Sequence, residues 1–304
     1  MGAVIAAEGP LGWQPHPEVW FLVLSVVALG FYVTRVIQPK MVAAGEAPIT
    51  TRQRAFFVAG VLCLWIASDW PVHDLAEEYL YSIHMVQHMV FTLVMPPLFL
   101  FAMPAWLLRL ILGSGSVGRF LTKLGRPLFA GLLYNALFVL THAAPLVNAS
   151  VKIGPLHYFL HAALVLSAFL MWNPVCGPLP EQRMSLPVQM GYLFGMSVLP
   201  TIPAAFLTVA ENPLYRAYER GAYRLWDVNI IQDQQAAGVI MKIGGGFYLW
   251  GIIIVLFVQW ASRQQRNDRA ATKRVGRNGE VLTYQEVEAQ FARSEPAASG
   301  PKQS

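Results

Sequence analysis

The chain is short of charge. Asp, Glu, Lys and Arg make up 13% of its 304 residues, whereas 55% are hydrophobic and mean hydropathy is positive. A soluble domain carries about a quarter charged residues, so this composition excludes one and indicates a polytopic membrane protein. Cysteine is almost missing: Cys63 falls inside an apolar segment and Cys176 at the end of another, so no structural disulfide is expected. No phosphate-cradling glycine loop, thiolate motif or nucleophile paired with a base is apparent, which disfavours an enzyme. No internal repeat of fixed period occurs. No basic n-region precedes the first apolar segment, which is therefore expected to stay in the mature protein.

What is present are seven apolar segments long enough to cross a bilayer core of about 30 Å: Val19–Ile37, Arg54–Trp70, Tyr79–Met103, Pro127–Pro145, Pro155–Asn173, Leu186–Val209 and Ala236–Trp260. The expected fold is an all-α membrane protein, a bundle of seven transmembrane helices with its N-terminus outside and its C-terminus cytoplasmic. That orientation places 17 of the 22 Lys and Arg on the cytoplasmic side, as the positive-inside rule demands. The net charge of +5 then belongs to cytoplasmic flanks, and nucleic-acid binding is unnecessary to explain it. The expected organisation is an outer segment (1–18), a membrane domain (19–262) and a partly disordered cytoplasmic tail (263–304), basic at its start. Past Pro104 an amphipathic stretch is expected at the cytoplasmic interface. In the outer loop 211–232, Tyr215, Tyr218, Tyr223 and Trp226 read as interfacial anchors.

Five of the seven histidines fall inside these segments. His84 and His88 form one H-x-x-x-H pair, His157 and His161 another. A four-residue helical step returns a side chain to nearly the same face, ~6 Å along the axis, so each pair can aim two imidazoles at one point. With the N-terminus outside, His84 and His88 lie roughly 7 and 13 Å below the start of their span, and His157 and His161 about 3 and 9 Å down. His142 falls near the outer end of the fourth segment. All five thus share the outer half of the bilayer, where buried ionisable groups mark functional sites. Imidazole suits copper, zinc, iron and nickel; thioether adds selectivity for Cu(I). Met85 and Met89, each one residue after a histidine, either line the margin of that site or fill the core. Asp69, His73, Asp74, Glu77 and Glu78 crowd the preceding loop, as a cation-collecting mouth or an ordinary solvated turn. Asp233 at the entrance of the last span is accounted for by capping, ligation or proton exchange alike. Lys242, deeper on that span, requires a partner, a wet gap or loss of its proton.

The run Ser82-Ile83-His84-Met85-Val86-Gln87-His88-Met89 is followed by Pro96-Pro97, Met103-Pro104 and Leu108-Arg109. Further on come His142-Ala143-Ala144-Pro145, His157-x-x-x-His161 with Met171-Trp172-Asn173-Pro174, and Asp233-Gln234-Gln235-Ala236-Ala237-Gly238. In this order they resemble the polytopic CtaG family, assembly factors associated with caa-type cytochrome c oxidases. The resemblance covers nearly the whole membrane domain and leaves out the tail. It implies seven transmembrane helices, a multi-pass plasma (inner) membrane location, cytochrome c oxidase subunits as partners besides the lipid bilayer, and copper handling. The residues it carries over are His84, His88, His142, His157, His161 and Asp233. Lys242 departs from the family pattern, which leads one to expect an aromatic near that position. Other readings share some of these features: a haem protein, a retinal protein, and a channel or carrier for copper or protons.

Overall fold

The structure, a computed structural model, describes residues 12–216, 227–278 and 284–294. Tyr218, Tyr223 and Trp226, most of the N-terminal segment and parts of the tail lie outside the described residues. The chain is helical, with no β-strand among the described residues. Five helices are long and apolar enough to cross a membrane: α1 (Pro17–Ala43), α3 (Tyr81–Ala102), α5 (Gly154–Cys176), α6 (Leu186–Thr208) and α7 (Ile230–Ala270). The segments expected as spans two and four are shorter helices. α2 (Thr51–Ser68) is bent by 51° against Val72–Tyr79, and α4 (Pro127–Thr141) by 75° against Ser116–Leu124; counting each pair as one span gives seven.

Local chemistry sets the helix ends. Capping boxes open α2, through Thr50 and Gln53, and α7, through Asn229 and Gln232. The box on α7 starts that helix at Ile230, six residues before the apolar run expected at Ala236, so Asp233 sits in its first turn. Pro104 follows α3 and opens a short helix, Ala105–Leu112, whose buried Trp106 donates to the Ala47 carbonyl at 3.1 Å.

α3 is the centre of the bundle, bordered by α2, α5 and α7. Its most apolar stretch is 56% buried, against 11% for α1, whose exposed leucines, valines and aromatics form a lipid-facing surface. α3 is also irregular. Pro96 and Pro97 lack N–H groups, and a π-turn at Val90–Val94 precedes them. The Thr92 carbonyl would accept from residue 96 in an α-helix and from residue 97 in a π-helix, and both are proline. Trp172 Nε1–H supplies the missing donor at 2.9 Å, and the Tyr248 hydroxyl donates to the neighbouring Leu93 carbonyl at 2.9 Å. Backbone groups in a bilayer must find partners inside the protein, and here α5 and α7 provide them.

α7 meets α6 closely at Gly238. A Cβ there would lie 2.7 Å from the Ala204 carbonyl oxygen and 2.6 Å from Thr208 Oγ1, so only glycine fits. Beyond Ile254 the chain forms a second compact unit, which carries the end of α7 and an exposed helix, Tyr284–Ser294.

Candidate metal centre

His84 and His88 project from the first turns of α3, and His157 and His161 from the first turns of α5. His142 ends α4. The helix stops at Thr141, short of the expected Pro145, because His142 Nδ1 turns back onto the Phe138 carbonyl at 2.6 Å and a new helix, Ala144–Ser150, begins. All five imidazoles border one cavity of about 30 Å³. Ring centroids are 4.5 Å apart for His84 and His88, 5.4 Å for His84 and His161, 4.5 Å for His88 and His161, and 6.0 Å for His88 and His142.

Hydrogen bonds fix which nitrogens are free. A carbonyl only accepts, so His142 Nδ1 carries the proton and its Nε2 keeps a lone pair. That Nε2 is buried without a partner, as is His161 Nε2. His157 Nε2 donates to Glu77 Oε1 at 3.1 Å. The same oxygen lies 3.0 Å from His84 Nδ1, close enough to favour a proton there although the contact lacks hydrogen-bond geometry. His84 Nε2 is then an acceptor, and His88 Nε2 donates to it at 2.9 Å.

Two ligand sets emerge, sharing His161. His84, His88 and His161 offer nitrogens within 4.8 Å of one another, as do Glu77, His157 and His161 with a carboxylate oxygen among them. Nitrogens bound tetrahedrally at ~2.0 Å from an ion stand about 3.3 Å apart. The 2.9 Å His84–His88 contact is tighter, as befits a shared proton that an incoming ion must displace.

Glu77 is the site residue that sequence reasoning left in the loop. It belongs to Val72–Tyr79, which is helical; extended Leu80 separates that helix from α3, and no local pattern announces that Glu77 meets His84. Its loop neighbours are also engaged: buried Asp74 meets His16 at 2.6 Å, and Asp69 accepts from Trp20 and Trp65. Tyr215 is no interfacial anchor. It is buried against Tyr81 and donates to the His142 carbonyl at 2.7 Å.

Asp233 does not border the histidine cavity. Its carboxylate accepts from the backbone N–H groups of Tyr81 at 2.7 Å and Ser82 at 3.0 Å, capping α3 from the neighbouring helix α7. Gln234 beside it accepts from the Leu214 amide at 3.0 Å. Met85 borders the histidine cavity, whereas Met89 and Lys242 border a second one.

A family model described as cytochrome c oxidase caa3 assembly factor matches residues 30–263. Uncharacterized proteins of Mycobacterium bovis and Mycobacterium tuberculosis are each 24% identical over 217 residues, covering 66% of this chain and 32% of theirs. The chain thus spans about a third of the length of these curated relatives. No solved structure matches it.

Proposed function

The chain belongs to the family of cytochrome c oxidase caa3 assembly factors, and from that premise we propose that it binds copper through its histidine cluster and delivers it to an oxidase subunit, without enzymatic turnover. The reading places the chain in the plasma membrane, N-terminus outside, with the cluster towards the outer face. His84, His88, His157 and His161 are the ligands, His142 a fifth ligand or an orienter, and Asp233 holds the helix that presents the first pair.

One observation carries the proposal: five imidazoles from three helices border a single small cavity, and two of them keep buried ring nitrogens without partners. Buried polar groups are normally satisfied, so such atoms point to an absent ligand. The space that all five imidazoles share suits an ion, whereas the larger cavity of about 390 Å³ beside it is reached by His157 and His161 alone among them. About 30 Å³ admits an ion with a water or two, whereas sites for drug-sized ligands occupy about 300 Å³ or more.

The test is metal analysis of purified protein beside a His84→Ala/His88→Ala double variant. Wild type should retain Cu(II), with some zinc, after aerobic purification, and the variant should lose both. Cells carrying His161→Ala should still insert the protein and synthesise the oxidase, yet lose oxidase activity, with partial rescue by added copper. Normal oxidase copper in a deletion strain without a second copy of the gene would overturn delivery. The second cavity, continuing past His88 and His142, favours one competing reading, transport of copper across the membrane. Copper uptake into proteoliposomes would decide for it.

A further inference from the structure

His88, His142 and Met85 border both cavities, while His157 and His161 border the first and not the second. The second cavity, of about 50 Å³, is bordered by five methionines: Met85 and Met89 on α3, Met171 on α5, Met196 on α6, whose Sδ accepts from Asn135 Nδ2 at 3.1 Å, and Met241 on α7. Nearly half of the chain's 11 methionines thus meet around one void from four helices. Methionine is flexible enough to close irregular gaps when it serves as filler. Here the gap stays open, and hydroxyls of Thr92, Tyr134 and Thr201 share its wall. A glycine also makes room for one of these side chains. A Cβ on Gly244 would come within 3.2 Å of Met89 Cε.

We propose that this cavity is a second metal site, selective for a soft monovalent cation, Cu(I), which it holds through thioethers and His142 Nε2, while the histidine cavity keeps His84, His88, His157 and His161 as its own ligands. The inference rests on the reading that the chain carries copper. Three features support it. Thioether sulfur is a soft donor that favours Cu(I), whereas imidazoles and a carboxylate also accept Cu(II) and zinc. His142, 6% exposed, has its Nδ1 proton committed to Phe138 and its Nε2 lone pair unused. Lys242, though exposed, is the one Lys, Arg, Asp or Glu bordering it among the described residues. An ammonium repels a divalent ion twice as strongly as a monovalent one at the same distance, so it biases the site towards charge +1. The ion arrives already reduced, and no electron transfer is involved.

The test uses full-length protein in detergent, titrated anaerobically with Cu(I) and with Ag(I), a redox-inert soft cation. Wild type should bind two equivalents, and Met89→Leu/Met196→Leu/Met241→Leu, which conserves volume, should bind one. His157→Ala/His161→Ala should lose Cu(II) and zinc but keep a sulfur-ligated equivalent. Selenomethionine-labelled wild type should gain a metal neighbour in selenium-edge X-ray absorption on loading, a readout that stands even where a variant fails to fold. Lys242→Met should tighten Ag(I) binding and admit zinc; weaker Ag(I) binding would overturn the charge argument. A single, all-nitrogen equivalent with no selenium–metal contact would overturn the second site and leave the histidine site standing. No bound metal at all would overturn both.

Discussion

Replacing Glu77 by glutamine isolates the contribution of one charge to the histidine cluster. Its Oε1 lies 3.1 Å from His157 Nε2 and 3.0 Å from His84 Nδ1, so a single atom orients imidazoles on α5 and on α3. Glutamine keeps an oxygen of the same reach and removes the negative charge that raises imidazole basicity. Losing such a partner costs roughly 10–100-fold in metal affinity, about 1.4–2.7 kcal/mol. Because glutamine retains both contacts in neutral form, Glu77→Gln should fall near the tenfold end and Glu77→Ala towards a hundredfold. The assay is competitive titration of Cu(II) against a chromophoric chelator at about pH 7.5, with Glu78→Gln as the control, since Glu78 is exposed and outside both ligand sets. A thermal melt should show little change for Glu77→Gln, which alters no packing volume. Affinities within twofold of wild type in both Glu77 variants would refute the orienting role and reduce the carboxylate to a bystander.

Trp172→Phe removes the indole N–H that donates to the Thr92 carbonyl, and an unsatisfied buried group costs about 1–3 kcal/mol; the melting temperature should fall while histidine-site affinity changes little. Gly238→Val should prevent α6 and α7 from meeting and abolish stable protein, read as loss of a monodisperse peak on size exclusion, whereas Gly246→Ala, with open space around it, should be tolerated. Imidazoles bind metal only when deprotonated, so retention should be full above, and lost below, the ordinary histidine range near pH 6.5; equal metal content at about pH 5 and pH 8 would contradict imidazole ligation. Zinc, which the thioether cavity does not hold, should stabilise the fold by about 2.7 kcal/mol at a hundred times its dissociation constant, and that increment should vanish in His84→Ala/His88→Ala.

Sequence alone made the helical class legible, because apolar runs need no partner to declare themselves, and it made the two histidine pairs legible, because their four-residue spacing is a property of one helix. What it left hidden depends on other elements. Charges cluster around Glu77, a pattern that reads equally as a cation-collecting mouth or a solvated turn; it is the folding of Val72–Tyr79 as a helix that brings the carboxylate to α5. Tyr215 looked like a lipid-interface aromatic until its hydroxyl found the His142 carbonyl. The end of α4 was placed too late, since an apolar pattern cannot reveal that a histidine side chain closes the last turn. Met171, Met196 and Met241 carry no local signal at all; only the packing of α3, α5, α6 and α7 brings them to one void. The two shorter spans, α2 and α4, have enough apolar residues in sequence, but each breaks into a bent pair, at Asp69–Pro71 and at Gly125–Arg126.

The motif residues that bear no ligand atom have a common task. α3 is held near its start by Asp233 of α7 and in its middle by Trp172 of α5 and Tyr248 of α7, the last two taking up carbonyls next to a proline pair. These clamps lie on both sides of His84 and His88 along the helix, so α3 can neither rotate nor slide without breaking charge-assisted or otherwise unreplaceable hydrogen bonds in a low-dielectric interior. A metal site built from two helices needs that restraint, because its nitrogens must hold position to within about 0.5 Å while no covalent link joins the helices. Prolines that would weaken an isolated helix therefore serve this one: they free acceptors at fixed depth, and each acceptor admits only the partner helix that the site requires.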